Sequence, residues 1–214
     1  MTKTIKKTDL AGLEKRFRTQ LINSLSGYKS VNLIGTKSKT HGTNLSIISS
    51  VVHLGANPAL MGFIMRPARV PRHTYQNIIE NGSYTINHIH PDFMKPAHQT
   101  SARYPQELSE FEAVGLTPEF TENQFAPYVK ESAIKIGMHF LEEKLIEIND
   151  TILVIGEVRE IIFPEDCLMK DGFLDLEKAG TLTCSGLDSY HTTQRIARLT
   201  YAKPDRKTKE IPMK

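Results

Sequence analysis

The 214-residue chain has no tryptophan and only two cysteines, Cys167 and Cys184. They form neither a C-x-x-C pair nor a zinc-ligand spacing, which excludes a dithiol redox motif and a zinc ribbon and predicts reduced thiols. No apolar run approaches the roughly 18 residues that cross a bilayer, and the basic start has no apolar core of a secretory leader. The expectation is a cytoplasmic protein with no membrane partner. Net charge is also small: 27 Lys and Arg against 24 Asp and Glu leave a formal +3, too little to imply a nucleic-acid partner. Several of those cations crowd the ends, at Lys3 to Lys7 and in the tail from 203 to 214, where solvated termini are expected. There is no G-x-x-x-x-G-K-[ST], no G-x-G-x-x-G and no G-x-S-x-G, so P-loop, Rossmann and nucleophile-elbow chemistry are absent.

What is present is strand-rich. Leu10, Leu13, Phe17, Leu21 and Leu25 recur at helical spacing, predicting one amphipathic helix within residues 1–28, capped by Asp9, stopped at Gly27 and packed on the rest. From 29 to 202 a single domain is expected. Strand-like runs at 30–38, 44–55 and 59–67 are joined by turns too short for helical crossovers, so they pair antiparallel. A short helix from Thr74 to Gly82, with Thr74 as N-cap and Gly82 at the C-terminal stop, precedes a strand over 83–89. Residues 91–128 contain five prolines and little strand character, predicting a long functional excursion with a short helix near Ser109 to Val114. Ile134, Ile136, Met138 and Phe140 share one face of a strand that forms a hairpin with 151–163 through Asn149-Asp150, and residues 195–202 close the sheet. The fold class is mainly β with α decoration: an antiparallel barrel, an N-terminal helix and a basic tail over 203–214.

Two polar groups stand out. Asn44, Ser46, Ser49 and Ser50 lie on one strand-like run, and Arg66, Arg69 and Arg72 follow one strand later, so pairing can bring hydroxyls and guanidinia to one anion. Thr74 begins a helix whose free amides favour the same charge. The competing reading is a solvated basic loop. His88 and His90 sit i, i+2 on a strand, a metal-like spacing, but without a third ligand at a fixed distance, so no metal is expected. Cys184 has no local partner that would make it a nucleophile.

The ordered motifs add a resemblance. "NLSIIS" (44–49), Asn57-Pro58-Ala59, "RHTYQNI" (72–78), "YTIN" ending at Asn87, Ser109-Glu110-Phe111 before Gly115-Leu116-Thr117, "APYVKES" (126–132), Gly156-Glu157-Val158 and Gly186 to Tyr190 stand in the order of the flavin reductase-like proteins of the FMN-binding split-barrel superfamily. The chain resembles that family over roughly 29–190, with Arg72 for its Lys, Ile47 for a Pro, His73 for an Asp and Ala59 for a second turn Pro. The resemblance implies a split barrel, non-covalent FMN, a homodimer and NADH or NADPH as electron donor to a small-molecule acceptor. It places Arg72 and Thr74 at the phosphate, Ser49 and Ser50 at phosphate or ribityl hydroxyls, and Asn44 and Ser46 near the ring. Arg66 is added as a second cation on physical grounds. No catalytic residue is assigned; His98, Gln99, Ser101 and Arg103 of the excursion are candidates for proton exchange or substrate contact. An FMN electron carrier or sensor is the alternative function, and a metal-dependent oxidoreductase a distant third.

Overall fold

A computed structural model describes residues 1–67 and 72–212 of the chain. Two short helices, α1 (Lys7–Gly12) and α2 (Lys15–Ser24), precede strands β1 (Lys29–Ser30), β2 (Asn32–Ser38), β3 (Gly42–Ile48), β4 (Val52–Ala56) and β5 (Ala59–Met65). Helix α3 (His73–Asn81) and strand β6 (Ser83–His88) follow, then α4 (Met94–Gln99), α5 (Glu110–Val114), β7 (Pro118–Thr121) and β8 (Gln124–Val129). The long strands β9 (Lys135–Ile146) and β10 (Thr151–Ile162) and the short β11 (Thr183–Ser185) and β12 (Ser189–His191) complete the order.

Seven strands form one sheet in the order β3-β2-β6-β9-β10-β5-β4, every neighbouring pair antiparallel. Its two edge strands, β3 and β4, are consecutive in the chain and are joined only by residues 49–51. The sheet therefore wraps until its edges come together at that connection, leaving a barrel that is split there. The run read from sequence as one strand over 44–55 is thus two. Ser50 marks the break: its hydroxyl accepts from the Ile64 amide of β5 at 3.0 Å, taking the place of a ladder carbonyl.

Apolar alternation fills the barrel. Ile34, Phe63, Ile86, Met138 and Val154 meet inside it, and Ile78 closes the cluster from α3. Ile136, Met138 and Phe140 share that face as expected, but Ile134 precedes β9 and packs with Cys167 and Ala179 instead. Leu33 and Leu45 belong to a second cluster, with Ile89, Phe93, Phe111 and Val129, between the sheet and the excursion over 91–128. That excursion holds more order than its prolines suggest. It contributes α4 as well as α5, and its β7–β8 hairpin crosses the sheet, where Thr85 donates to the Pro127 carbonyl at 2.6 Å and Asn87 accepts from the Val129 amide at 2.9 Å.

Both ends of the chain depart from the sequence reading. The N-terminal helix is broken at Leu13-Glu14: Asp9 accepts from the Lys6 amide inside α1, and Glu14 caps α2 by accepting from Phe17. Neither helix buries a side chain, and α2 reaches the rest of the protein through polar contacts such as Gln20 to Asp188, 3.0 Å. Residues 195–202 do not join the large sheet. Their arginines are occupied elsewhere, Arg195 with Asp175 and Arg198 with Asp171, each guanidinium over the Phe173 ring. The small sheet that flanks the barrel is β1-β11-β12.

His88 and His90 face the loop at 180–181. His88 Nδ1 lies 3.1 Å from the Thr181 hydroxyl, and the His90 ring abuts Gly180. Among the described residues no group of three His, Cys, Asp or Glu side chains is arranged to hold a metal. Burial pushes the His88 pKa down to about 4 from 6.5, so in the folded protein it stays neutral while the unfolded chain takes up a proton. The stability it contributes is complete above pH 6.5 and is lost as pH falls toward 4. Thermal unfolding across that window is expected to show a steeper acid decline in wild-type protein than in His88→Gln.

Candidate active site

A cleft of ≈ 950 Å³ opens at the split, a size suited to a cofactor or small ligand. Its floor is β3, its rim the end of β5 and the start of α3, and its far wall the segment after α4 together with β11 and β12. All seven residues singled out from sequence line it: Asn44, Ser46, Ser49, Ser50, Arg66, Arg72 and Thr74. His98, Ser101 and Arg103 line it too, whereas Gln99 does not and donates to the hydroxyl of Tyr104, which does, at 3.2 Å. Arg69, the remaining arginine of the cluster, lies outside the described residues.

Thr74 does not cap α3. The capping position falls two residues earlier, at Arg72, with no side-chain cap, and the Thr74 hydroxyl is committed to β3 instead. It lies 2.8 Å from Asn44 Oδ1 and 2.9 Å from Ser46 Oγ. A buried carboxylate fixes the direction of this network. Glu110, at the start of α5, accepts from Asn44 Nδ2 at 2.6 Å and from the Leu45 amide at 2.9 Å, so Asn44 must turn its oxygen toward Thr36 and Thr74. Asn44 Oδ1 can only accept, so the single Thr74 hydrogen belongs to it. The contact between Thr74 and Ser46 then uses the Ser46 hydrogen, leaving lone pairs on Ser46 to accept from a ligand N–H or O–H. Glu110→Ala should leave two donors unpaired beside the cleft and cost about 1–2 kcal/mol, and Glu110→Gln should recover most of it. Urea unfolding of the two variants checks this.

Three arginines, Arg66, Arg72 and Arg103, line the cleft together. Arg72 is held below the usual arginine range by desolvation first and then by Arg66 and Arg103. Among the described residues its buried Nε has no hydrogen-bond partner, and none of these three arginines is in a salt bridge. Clustered guanidinia without an ion-pair partner are costly unless an anion completes them. Deeper in, burial raises the Cys184 thiol, against the opposing pull of Lys29 and Ser49. Sequence reasoning missed Glu110, Tyr104, Tyr190 and Cys184 as lining groups; Glu110 and Tyr190 fall inside motifs already quoted, but nothing local shows that they turn toward this cleft.

The model of the flavin reductase like domain matches residues 28–174, and the chain belongs to that family, a class of flavin-related oxidoreductases. A split-barrel protein from Shewanella frigidimarina NCIMB 400, assigned to the flavin reductases, is 49% identical, with a TM-score of 0.90 over 94% of this chain and 100% of that one. Nitrilotriacetate monooxygenase component B from Bacillus cereus shares the fold at 20% identity, with a TM-score of 0.80 over 93% of this chain and 99% of its own. A protein of Aquifex aeolicus strain VF5 is 30% identical over 93 residues, 37% of this chain and 47% of that relative, so the chain matches about half of its length.

Proposed function

We propose that the cleft binds FMN non-covalently and that the protein is an NAD(P)H-dependent flavin reductase. The observation that carries this reading is the buried Nε of Arg72, which has no hydrogen-bond partner among the described residues, in a cluster of guanidinia. A phosphate dianion supplies both the missing acceptor and the missing charge. Arg72 and Arg66 take the phosphate together with the N-terminal end of α3 at Thr74, where amides are free of intrahelical partners. Ser49 and Ser50 stand at the split and meet the phosphate or the ribityl hydroxyls; the Ser50 hydroxyl already serves Ile64, so Ser49 is the stronger ligand. Asn44 and Ser46 border the ring, with Ser46 as acceptor. Bound FMN supplies the hydride chemistry, accepting a pair of electrons from a reduced nicotinamide and passing them to a small-molecule acceptor; the chain's own residues bind, orient and screen it.

The protein is further proposed to act as a homodimer in the cytoplasm. Val52 and Leu54 on edge strand β4, and Leu141 and Leu145 on β9, are exposed apolar side chains that a second copy would cover. Sedimentation of the FMN-loaded protein as a monomer would count against that. The central test is titration of the purified chain with FMN, followed by anaerobic NADH and NADPH. Saturable FMN binding and bleaching of the flavin by either nucleotide are expected. FMN binding with bleaching by dithionite alone would make the protein an electron carrier or sensor, and no FMN binding would overturn the reading.

A further inference from the structure

Delivering a hydride to one carbon of an activated C=C bond leaves a carbanion on the other, and a site that finishes such a reduction needs an acid beside the acceptor. One pair in the cleft has the required arrangement and no part in holding a phosphate. His98 Nδ1 lies 2.7 Å from the Tyr190 hydroxyl, the two rings meet edge to face at 81° with centroids 5.7 Å apart, and both side chains line the cleft that contains Arg72 and Thr74. His98 is exposed and Tyr190 only partly so. In the Nδ1–H tautomer His98 donates to the phenol oxygen, which leaves the phenol hydrogen free for the cleft and Nε2 open to water.

We propose that Tyr190, backed by His98, is the proton donor in the reduction of an α,β-unsaturated carbonyl compound bound in this cleft. The inference rests on the FMN reading above. The β-carbon of the acceptor receives a hydride from reduced FMN, the C=C π bond breaks, and its electron pair moves to the α-carbon. The Tyr190 O–H bond then breaks as the α C–H bond forms. His98 returns its Nδ1 proton to the phenolate while Nε2 takes one from water. The acceptor ends as the saturated carbonyl compound and FMN ends oxidised, ready for the next pair of electrons from NAD(P)H.

The acidity of the donor selects the acceptor class. Burial first, then Cys184 and Asp188, push the Tyr190 pKa up to about 12, so the phenol keeps its proton through the neutral range. Such a weak acid contributes little to a weakly basic product such as a hydroquinone, which takes protons from water. An enolate is far more basic than a phenolate and draws the proton readily. Tyr104 and Leu187, which line the same cleft, add apolar surface suited to a planar conjugated compound.

The test compares two oxidants of the FMN-loaded, pre-reduced protein: cyclopent-2-enone, which needs hydride and proton, and ferricyanide, which takes electrons alone. Wild-type protein is expected to be re-oxidised by both, and in Tyr190→Phe the ratio of the enone rate to the ferricyanide rate should fall at least about 100-fold, within the range for loss of a general acid. His98→Ala should lower the ratio about 10-fold, with recovery on adding imidazole. A readout independent of turnover is the His98 Nδ1 resonance of the apo-protein, which should move in Tyr190→Phe. An enone that fails to oxidise the wild-type protein, an unchanged ratio in Tyr190→Phe, or an unmoved His98 resonance overturns the assignment. Absence of FMN binding in the wild type overturns the reading beneath it instead.

Discussion

Replacing Arg72 with alanine is expected to weaken FMN binding by about 2–4 kcal/mol, roughly 30- to 1000-fold, without destabilising the unliganded protein. The two halves of that expectation have separate causes. In the ligand-bound protein a desolvated guanidinium facing a dianion is worth a charge-assisted pair, and its loss strands the phosphate in a partly dry cleft. In the free protein the side chain has little to lose: its Nε has no partner among the described residues, and its charge is opposed by Arg66 and Arg103. Stability should hold or rise slightly in Arg72→Ala while affinity falls. Fluorescence titration and thermal unfolding of the same preparation check both. Riboflavin, which lacks the phosphate, sharpens the assignment, because the gap between FMN and riboflavin affinities should shrink in Arg72→Ala by the same factor by which FMN binding weakens. Arg72→Lys, which keeps the charge but not the planar fork, should fall between wild type and Arg72→Ala. An unchanged gap would move the phosphate away from this arginine.

Why so many of the residues that line the cleft could be read from sequence, and why others could not, follows from the range of the interactions. Asn44, Ser46, Ser49 and Ser50 lie within seven positions of one another, and antiparallel succession fixes where the next strand must end, so Arg66 and Arg72 return to the same rim. Thr74 was placed at the site for the wrong reason. Local capping preference favoured an N-cap, but Asn44 and Ser46 on β3 both engage its hydroxyl, one as acceptor and one as donor, and tertiary partners win over a cap that water can replace. Tyr190 and Glu110 come from segments that reach the cleft only through the crossing of the 91–128 excursion and the docking of β11 and β12, which no local spacing encodes. The same limit explains residues 195–202. Their alternation fits a strand, but Phe173 and two aspartates offer both arginines better partners than a sheet edge does.

Gly35→Ala is expected to cost about 3–5 kcal/mol, among the largest effects for a single added methyl group. Gly35 sits in β2, between β3 and β6, and its need for glycine comes from what crosses above it rather than from its backbone angles. A Cβ there would stand 2.2 Å from the Pro127 carbonyl oxygen and 2.5 Å from Thr85 Oγ1. Neither neighbour can give way cheaply. Pro127 belongs to the backbone of β8, and Thr85 is held between that carbonyl and Asn87, at 2.6 and 2.8 Å. Moving β8 outward would break the Thr85 bond and pull on the Asn87 to Val129 bond as well, leaving buried polar groups unpaired. Gly12→Ala gives the comparison, since nothing lies within 4 Å of its added Cβ, and its effect should stay within about 0.5 kcal/mol. Urea unfolding should show a lower midpoint at unchanged slope for Gly35→Ala and almost no shift for Gly12→Ala. Because β8 is continuous with the excursion that carries Glu110 and Arg103 into the cleft, the Gly35 variant should also lose FMN affinity under conditions where it remains folded. A variant as stable as wild type would mean that β8 does not lie against β2 as described, and the route by which the excursion reaches the site would have to be redrawn.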